Sequence, residues 1–425
     1  MSQPQCIACH KYDMREDTMG VFMVFMYIFS FYVLGPITSS IVASVLTLPA
    51  CMRNHTSRQF TYQVFECRFF RNVIGFILIL MCLCVFYSTI HLTHDLSYLK
   101  TLFGQLIQLI SGAIIVSYLF IKCNVNIEKI ICWIIIAYLI QSIIELIAVS
   151  VPAIASALDY FNHAGQDQEN SGGVRGMALA SGTTWSLGLT YGAVFILYFG
   201  CILSEKINLK TTAGLMLLVI GTIFAGRTGF VGAVIGGIFF ILFGKQNIFQ
   251  KSMLLVYILI IVLCMVTIVY LIVPQFIEYM IFNVMPWAFE PIFSYIDGGV
   301  VSTKSTDVLD DMWNEIPTFE EAICGVGLFT GADGKYYRHT DVGILRNLFY
   351  WGIGGYAVLV SYQLYLLWPM FKLRNYRLLW IFLLVFLLAC EYKAMTLGFN
   401  KQSVSLIFLI SFIAYYYPKY WKCKA

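Results

Sequence analysis

Charge is what this sequence has least of. Asp, Glu, Lys and Arg together make up 12% of its 425 residues, where a soluble domain carries about 25%. With 60% hydrophobic residues and a mean hydropathy of +0.79, a soluble globular fold is excluded. The chain reads as a polytopic membrane protein. Proline is also scarce, at 10 residues, and it falls mainly where apolar runs break. No internal repeat of solenoid type and no low-complexity tract is present. No cleavable signal pattern is seen either, because charges of both signs precede a long first apolar run.

Other absences narrow the chemistry. Gly334-Lys335 fails as a phosphate-binding P-loop: Phe329 stands at the first glycine position and Tyr336 at the Ser/Thr position, so no nucleotide site is expected. No His/Cys/carboxylate spacing suggests structural zinc, and no metal or cofactor is expected. Most of the 13 cysteines lie inside apolar runs, where Cys behaves as a small hydrophobe. Cys6-Ile-Ala-Cys9-His10 matches the haem-attachment spacing, but no export signal precedes it and no globular segment surrounds it. It is taken as an accidental match.

What is present is a series of apolar runs. Met19–Ala50 is broken by Gly35-Pro36 and is either one long span or two short helices, which decides the side of the N-terminus. Spans are expected near Asn72–Leu92, Thr101–Ile121, Lys129–Ala153 and Ser181–Leu203. Thr211–Gly244 is interrupted by Ala225-Gly226-Arg227-Thr228-Gly229. At 1.5 Å per residue it would be about 50 Å long, so it should fold as two short spans. Gly229, Gly232, Ala233, Gly236 and Gly237 then allow close helix packing. Further spans are expected near Met253–Pro274, Asp341–Trp368, Leu378–Ala394 and Gln402–Tyr417. The whole chain, 1–425, is expected to be a single all-α membrane bundle of about 11–12 helices.

Lys and Arg set the expected orientation. Arg53, Arg58, Arg68 and Arg71 mark one loop as cytoplasmic, and Lys122/Lys129, Lys206/Lys210, Lys245/Lys251, Lys372/Arg374/Arg377 and the tail agree with it. Residues 153–180 hold no Lys and a single Arg at 175. Residues 275–340 form a long acidic loop, expected to face the periplasm and to consist of short helices and turns broken by Pro286, Pro291 and Pro317.

That topology puts Arg175, Arg227, Arg338, Arg346, Glu391 and Lys393 on one side. Arginine suits phosphate, because its planar fork bonds bidentately and keeps its charge. Each Arg can equally be an anchor that snorkels to the headgroups. His339 and Asp341 are candidates for general base, with helix capping by Thr340 and Asp341 as the rival. Glu391 and Lys393 can bond one another or neighbouring helices as readily as a ligand. The aromatic Trp287, Trp313, Tyr336 and Tyr337 of the acidic loop suit sugar faces, although aromatics are common at membrane interfaces anyway.

Several stretches in order carry a resemblance: Arg175-Gly-Met, then Phe224-Ala-Gly-Arg227-Thr-Gly, the acidic loop, and Gly325-Val-Gly327. Thr340-Asp341-Val-Gly-Ile-Leu-Arg346, Gly352-Ile-Gly-Gly355 and a late Glu391-Tyr-Lys393 follow. This order resembles the bacterial O-antigen polymerases (Wzy type), within the O-antigen polymerase/ligase group. The resemblance implies a metal-independent glycosyltransferase of the GT-C-like class in the bacterial inner membrane, active at the periplasmic face. Its substrates would be undecaprenyl-diphosphate-linked oligosaccharides. A chain-length regulator and a flippase are the implied partners, together with membrane lipid but no nucleic acid. The ligase relatives carry a His in the outer loop, to which His339 corresponds. A ligase to lipid A core or protein, and a lipid-linked oligosaccharide transporter, remain the alternatives.

Overall fold

The computed structural model describes residues 14–162, 176–272, 281–282, 285–288, 290–298, 304–331 and 334–424. Arg175 and the Cys6–His10 run lie outside the described residues, as does part of the acidic loop.

Gly35-Pro36 ends the first helix, α1 (Met14–Phe29), in a short hairpin of β1 (Tyr32–Leu34) and β2 (Ile37–Thr38). The chain then runs back as α2 (Ser39–Met52). Gly35 takes φ +52°, the left-handed turn that glycine accepts at least cost. The run is therefore two antiparallel helices. Asp17 at the start of α1 meets Lys129 at 3.8 Å, so α1 begins at the same end of the bundle as α6. Two hydroxyls from this hairpin, Ser30 and Ser40, share Gln108 Oε1 at 3.2 and 2.6 Å, and Gln108 Nε2 donates to Tyr27 O at 2.6 Å. The broken backbone is satisfied inside the protein, as lipid requires.

After α3 (His55–Glu66) come the long helices α4 (Arg68–Ile90), α5 (Ser97–Cys123) and α6 (Ile127–Ser150), followed by α7 (Pro152–Asn162). Next are α8 (Trp185–Leu197, extended by a π-turn to Leu203), α9 (Leu209–Ala225), α10 (Thr228–Phe243) and α11 (Ile248–Ile272). The break at Gly226-Arg227 falls where the sequence places it. A Cβ at Gly232 would overlap the Gly192 backbone, and one at Gly236 would reach Ile196, so the glycine stripe brings α10 against α8. Gly237 has open space beside it.

Short helices α12 (Met285–Ala288), α13 (Glu290–Gly298), α14 (Lys304–Trp313) and α15 (Phe319–Cys324) follow. The chain ends in α16 (Gly343–Phe371), α17 (Arg377–Glu391) and α18 (Lys401–Lys424). From Ser403 to Ala414, α18 is buried on every side, which is the mark of a central helix. It packs on α16, α5, α8 and α6.

By length and apolar content, α4, α5, α6 and α8 can each cross a membrane, and α16 with α17, bent 113° at their junction, makes a fifth. The protein is thus all-α with several helices able to span, a multi-pass arrangement. That is fewer than the expected 11–12 membrane helices, by this measure and among the described residues. Part of the reason is local: α2, α9 and α10 are apolar but hold only 10–17 residues each, fewer than the roughly 20 a span needs, because the breaks at Gly35-Pro36 and Gly226-Arg227 shorten them.

Candidate functional site

The site is built around a second broken helix. Within α16, Gly352 has φ +61° and ψ −177°, so the helix is interrupted immediately after the buried Phe349, Tyr350 and Trp351. The carbonyls this frees are met by a neighbouring loop: Val326 N donates to Phe349 O at 2.6 Å and Gly327 N to Tyr350 O at 3.2 Å. A Cβ on Gly325 would strike the Tyr350 carbonyl, and one on Gly352 the Ile323 carbonyl. Both glycine motifs of the sequence therefore serve one joint, in which backbone lies directly on backbone.

The same loop is held from its other side by Asp95, between α4 and α5. Asp95 Oδ2 accepts from Phe329 N at 2.7 Å and Thr330 N at 2.8 Å, and Oδ1 from Ser97 N at 2.9 Å. Burial opposes ionisation of Asp95, but the hydrogen bonds from Ser97, Thr330 and Phe329 outweigh it and hold the carboxyl below its ordinary value. Asp95→Ala is expected to cost about 2 kcal/mol. The check is deuterium exchange at the Phe329 and Thr330 amides, which should become faster while α5 stays protected. The charged form is the one held, so this stabilisation is present above the ordinary carboxylate pKa and is lost as pH falls through the lowered one.

Phe329, placed this way, forms one wall around Arg346. The guanidinium lies 4.2 Å from the Phe329 ring centroid and 3.5 Å from that of Tyr336. Tyr98, Tyr350, Trp351 and Phe399 continue the wall, with Tyr98 centroids 4.8–5.2 Å from Trp351, Tyr350, Phe399 and Phe329. Arg346 is 8% exposed, and its Nη2 has no hydrogen-bond partner. Among the described residues no carboxylate comes within 4.0 Å of it. Tyr336, 45% exposed, covers it from the outside.

Asp341 precedes α16. The helix caps at Val342 without any side-chain bond; Thr340 Oγ1 accepts from Val342 N at 3.3 Å instead. The expected cap from the Asp341 or Thr340 side chain is therefore not made. Met312 of α14 leans over Asp341, its sulfur accepting from the Asp341 N–H at 3.3 Å. Although the side chain still reaches solvent, burial raises the Asp341 carboxyl above its ordinary value, and nearby Arg346 only partly offsets this. His339 is exposed beside it. Arg338 and His339 have φ +54° and +52°, two successive non-glycine residues in the left-handed region, the kind of backbone strain that clusters at functional sites.

The remaining expected residues divide by position. Arg338 is engaged by Glu321 at 2.7 Å and Glu315 at 3.5 Å. Burial opposes ionisation of Glu321, but Thr318 and Arg338 outweigh it and keep its carboxyl low. Glu391 sits 1% exposed and fully used: Oε1 accepts from Asn347 Nδ2 at 2.8 Å, and Oε2 from Thr396 N and Leu397 N at 2.6 and 2.8 Å. It acts as a brace tying α17 to α16, with Tyr98 reaching the same Asn347 at 3.3 Å. Lys393 lies half-exposed in the next turn. Arg227 pairs with Glu290 of α13 at 2.6 Å. Arg338, His339, Asp341, Arg346 and Glu391 are thus drawn together around the start of α16.

Asp95 and Asn347 were not singled out from the sequence, nor was Glu145 in α6. Glu145 is 1% exposed and is approached by Tyr191 at 3.4 Å and Gln141 at 3.5 Å. A carboxylate within an apolar run was the available signal. Among the described residues no group of three or more His, Cys, Asp or Glu is placed to hold a metal ion. Compared with known proteins, the chain matches no family model, no curated protein and no solved structure.

Proposed function

We propose that this protein is a surface-polysaccharide (O-antigen) polymerase of the inner membrane, joining undecaprenyl-diphosphate-linked repeat units at the periplasmic face. The observation that carries the reading is Arg346, a buried guanidinium with an unpartnered nitrogen, lined by aromatic rings and lying at the boundary of the helical bundle. A cation kept in such a place at a desolvation cost calls for an anionic ligand. A lipid-linked diphosphate supplies one at that depth.

In the reaction, a hydroxyl of the acceptor unit attacks the anomeric carbon of the donor glycan. The bond from that carbon to the diphosphate oxygen breaks, and the lipid diphosphate leaves with the electron pair. Arg346 stabilises the leaving charge. Asp341, with its raised carboxyl and His339 beside it, takes the hydroxyl proton. The exposed rings of Tyr336 and Tyr392 suit sugar faces, and Tyr392 is stacked on Trp313 at 4.5 Å.

The test is reconstitution of the purified chain in liposomes with a synthetic lipid-linked repeat unit. A ladder of polymers on the carrier lipid is expected. No ladder, with transfer appearing only when a lipid A core or protein acceptor is added, would replace polymerase with ligase.

A further inference from the structure

Helices α1 and α6 run the same way, and a groove opens between them. Asp17 and Lys129, near their starts, mark its polar end. There Asp17 Oδ1 lies 3.8 Å from Lys129 Nζ and accepts from Trp133 Nε1 at 3.2 Å. A Cβ at Gly20 would lie 2.7 Å from the Trp133 ring, so the indole is seated directly against α1. Beyond this end the groove is apolar. Val21 and Phe25 line it from α1, and Ile136, Ile140 and Ile144 from α6, each set at the helical interval of four. Its volume is about 750 Å³, the size of a small-molecule site. Ile136 and Ile140 are 36% and 39% exposed, so the groove opens on the outside of the bundle, where lipid lies.

The polar end is remote from the reaction site. Lys129 Nζ donates to Cys123 O, at the last residue of α5, at 3.3 Å. Asp95, just before the first residue of α5, holds the Phe329 wall of the Arg346 site. The 27 residues of α5 separate the two by about 40 Å at 1.5 Å per residue. Asp17 and Lys129 thus lie on the side that the Lys/Arg distribution marks as cytoplasmic. From Lys129 to Ile144 the α6 wall runs about 22 Å, more than the roughly 15 Å that one leaflet contributes to the hydrocarbon core. A membrane acyl chain fits this length.

The two charges define the headgroup. At 3.8 Å the pair is longer than the about 2.7–2.9 Å of a charge-assisted hydrogen bond, so each partner has reach for a further group. A headgroup of both signs meets both: its phosphate accepts from the Lys129 ammonium, and its own ammonium donates to the Asp17 carboxylate. A phosphate without an ammonium would bring like charge to Asp17, and a quaternary ammonium has no N–H to give. Trp133, beside both charges, is the residue type that sits at headgroup level.

We infer that the groove between α1 and α6 is a binding site for phosphatidylethanolamine, with an acyl chain along its apolar length and the headgroup across Asp17 and Lys129. The site is independent of the polymerase reading.

The test is native mass spectrometry of the delipidated full chain in detergent, after addition of phosphatidylethanolamine, phosphatidylcholine or phosphatidylglycerol with identical acyl chains. One phosphatidylethanolamine per chain is expected to stay bound at collision energies that strip the other two lipids. Asp17→Asn and Lys129→Gln should each weaken its binding by about tenfold or more, the loss of a charge-assisted bond. Ile140→Trp guards against a disturbed α1–α6 contact, because it keeps both charges and fills the groove from an exposed position. It should melt as wild type does and still lose the lipid. Equal retention of all three lipids, or retention unchanged in all three variants, would overturn the inference and leave only ordinary surrounding lipid. No retained lipid would also overturn it, and a dimeric mass broken by Ile140→Trp would give the groove to a second copy of the chain instead.

Discussion

Arg346→Gln is expected to abolish polymer while leaving the protein folded and in the membrane. The two consequences come from the same burial. In the free protein the guanidinium is desolvated among Phe329 and Tyr336, and among the described residues no carboxylate lies within 4.0 Å of it, so its removal relieves a cost, and thermal stability should hold or rise. With substrate bound, the same charge faces the departing diphosphate in a site of low dielectric. Removing one such donor slows the chemical step by about 10²- to 10³-fold, enough to eliminate long chains. Arg346→Lys keeps the charge but loses the planar fork and its stacking on the two rings, so it should fall between the two. The measurements are polymer length in a deletion strain complemented with each variant, and membrane abundance by blot. Wild-type polymer from Arg346→Gln would reduce Arg346 to a packing element and leave the diphosphate without a proposed partner.

The sequence carried those features that are local, while those made by folding together distant segments escaped it. Gly35-Pro36 and Gly226-Arg227 interrupt apolar runs visibly; the second break falls where expected, and the first decides an open choice in favour of two helices. The Gly325-Val-Gly327 and Gly352–Gly355 motifs were visible as glycine clusters. Their joint, where the 325–327 loop bonds the carbonyls freed at the α16 kink, depends on contact between separate segments and has no periodicity to betray it. Asp95 illustrates the limit more sharply. It bonds Phe329 and Thr330, 234 and 235 residues away, yet in sequence it is one polar residue in a short loop. Arg346 was legible as an Arg at a membrane boundary, while its lack of a carboxylate within 4.0 Å among the described residues was not. Arg338, eight positions earlier, has the same residue type and is taken up by Glu321 and Glu315. Residue type alone does not separate a cation engaged by the protein from one open to a ligand; the positions of the acidic helices do.

Asp341 is where the proposed chemistry is most exposed to test. Thr340 supplies the hydroxyl that meets the Val342 N–H, and the helix takes no cap from the Asp341 side chain. Asp341→Asn therefore has no cap to preserve, and any loss reports on the charge. If the carboxylate accepts the acceptor's proton, activity should fall by about 10²- to 10⁴-fold. The pH profile gives a second reading with a definite sign. Burial raises the carboxyl above the ordinary Asp value, with Arg346 opposing, so a base that must be ionised should show its acidic limb above the position of a free Asp, near 3.9. That limb should vanish in Asp341→Asn. Stability should move the opposite way. Because the fold disfavours the ionised form, its penalty appears as pH rises through the raised value, so the Asn variant should gain over wild type above that pH and match it below the ordinary one. His339→Gln then separates the two groups, since a larger loss there, with the acidic limb retained, would make the imidazole the base and Asp341 the group that orients it. Full-rate polymerisation by both variants at normal membrane abundance would move the search for the base to the acidic helices around Asp307–Glu321.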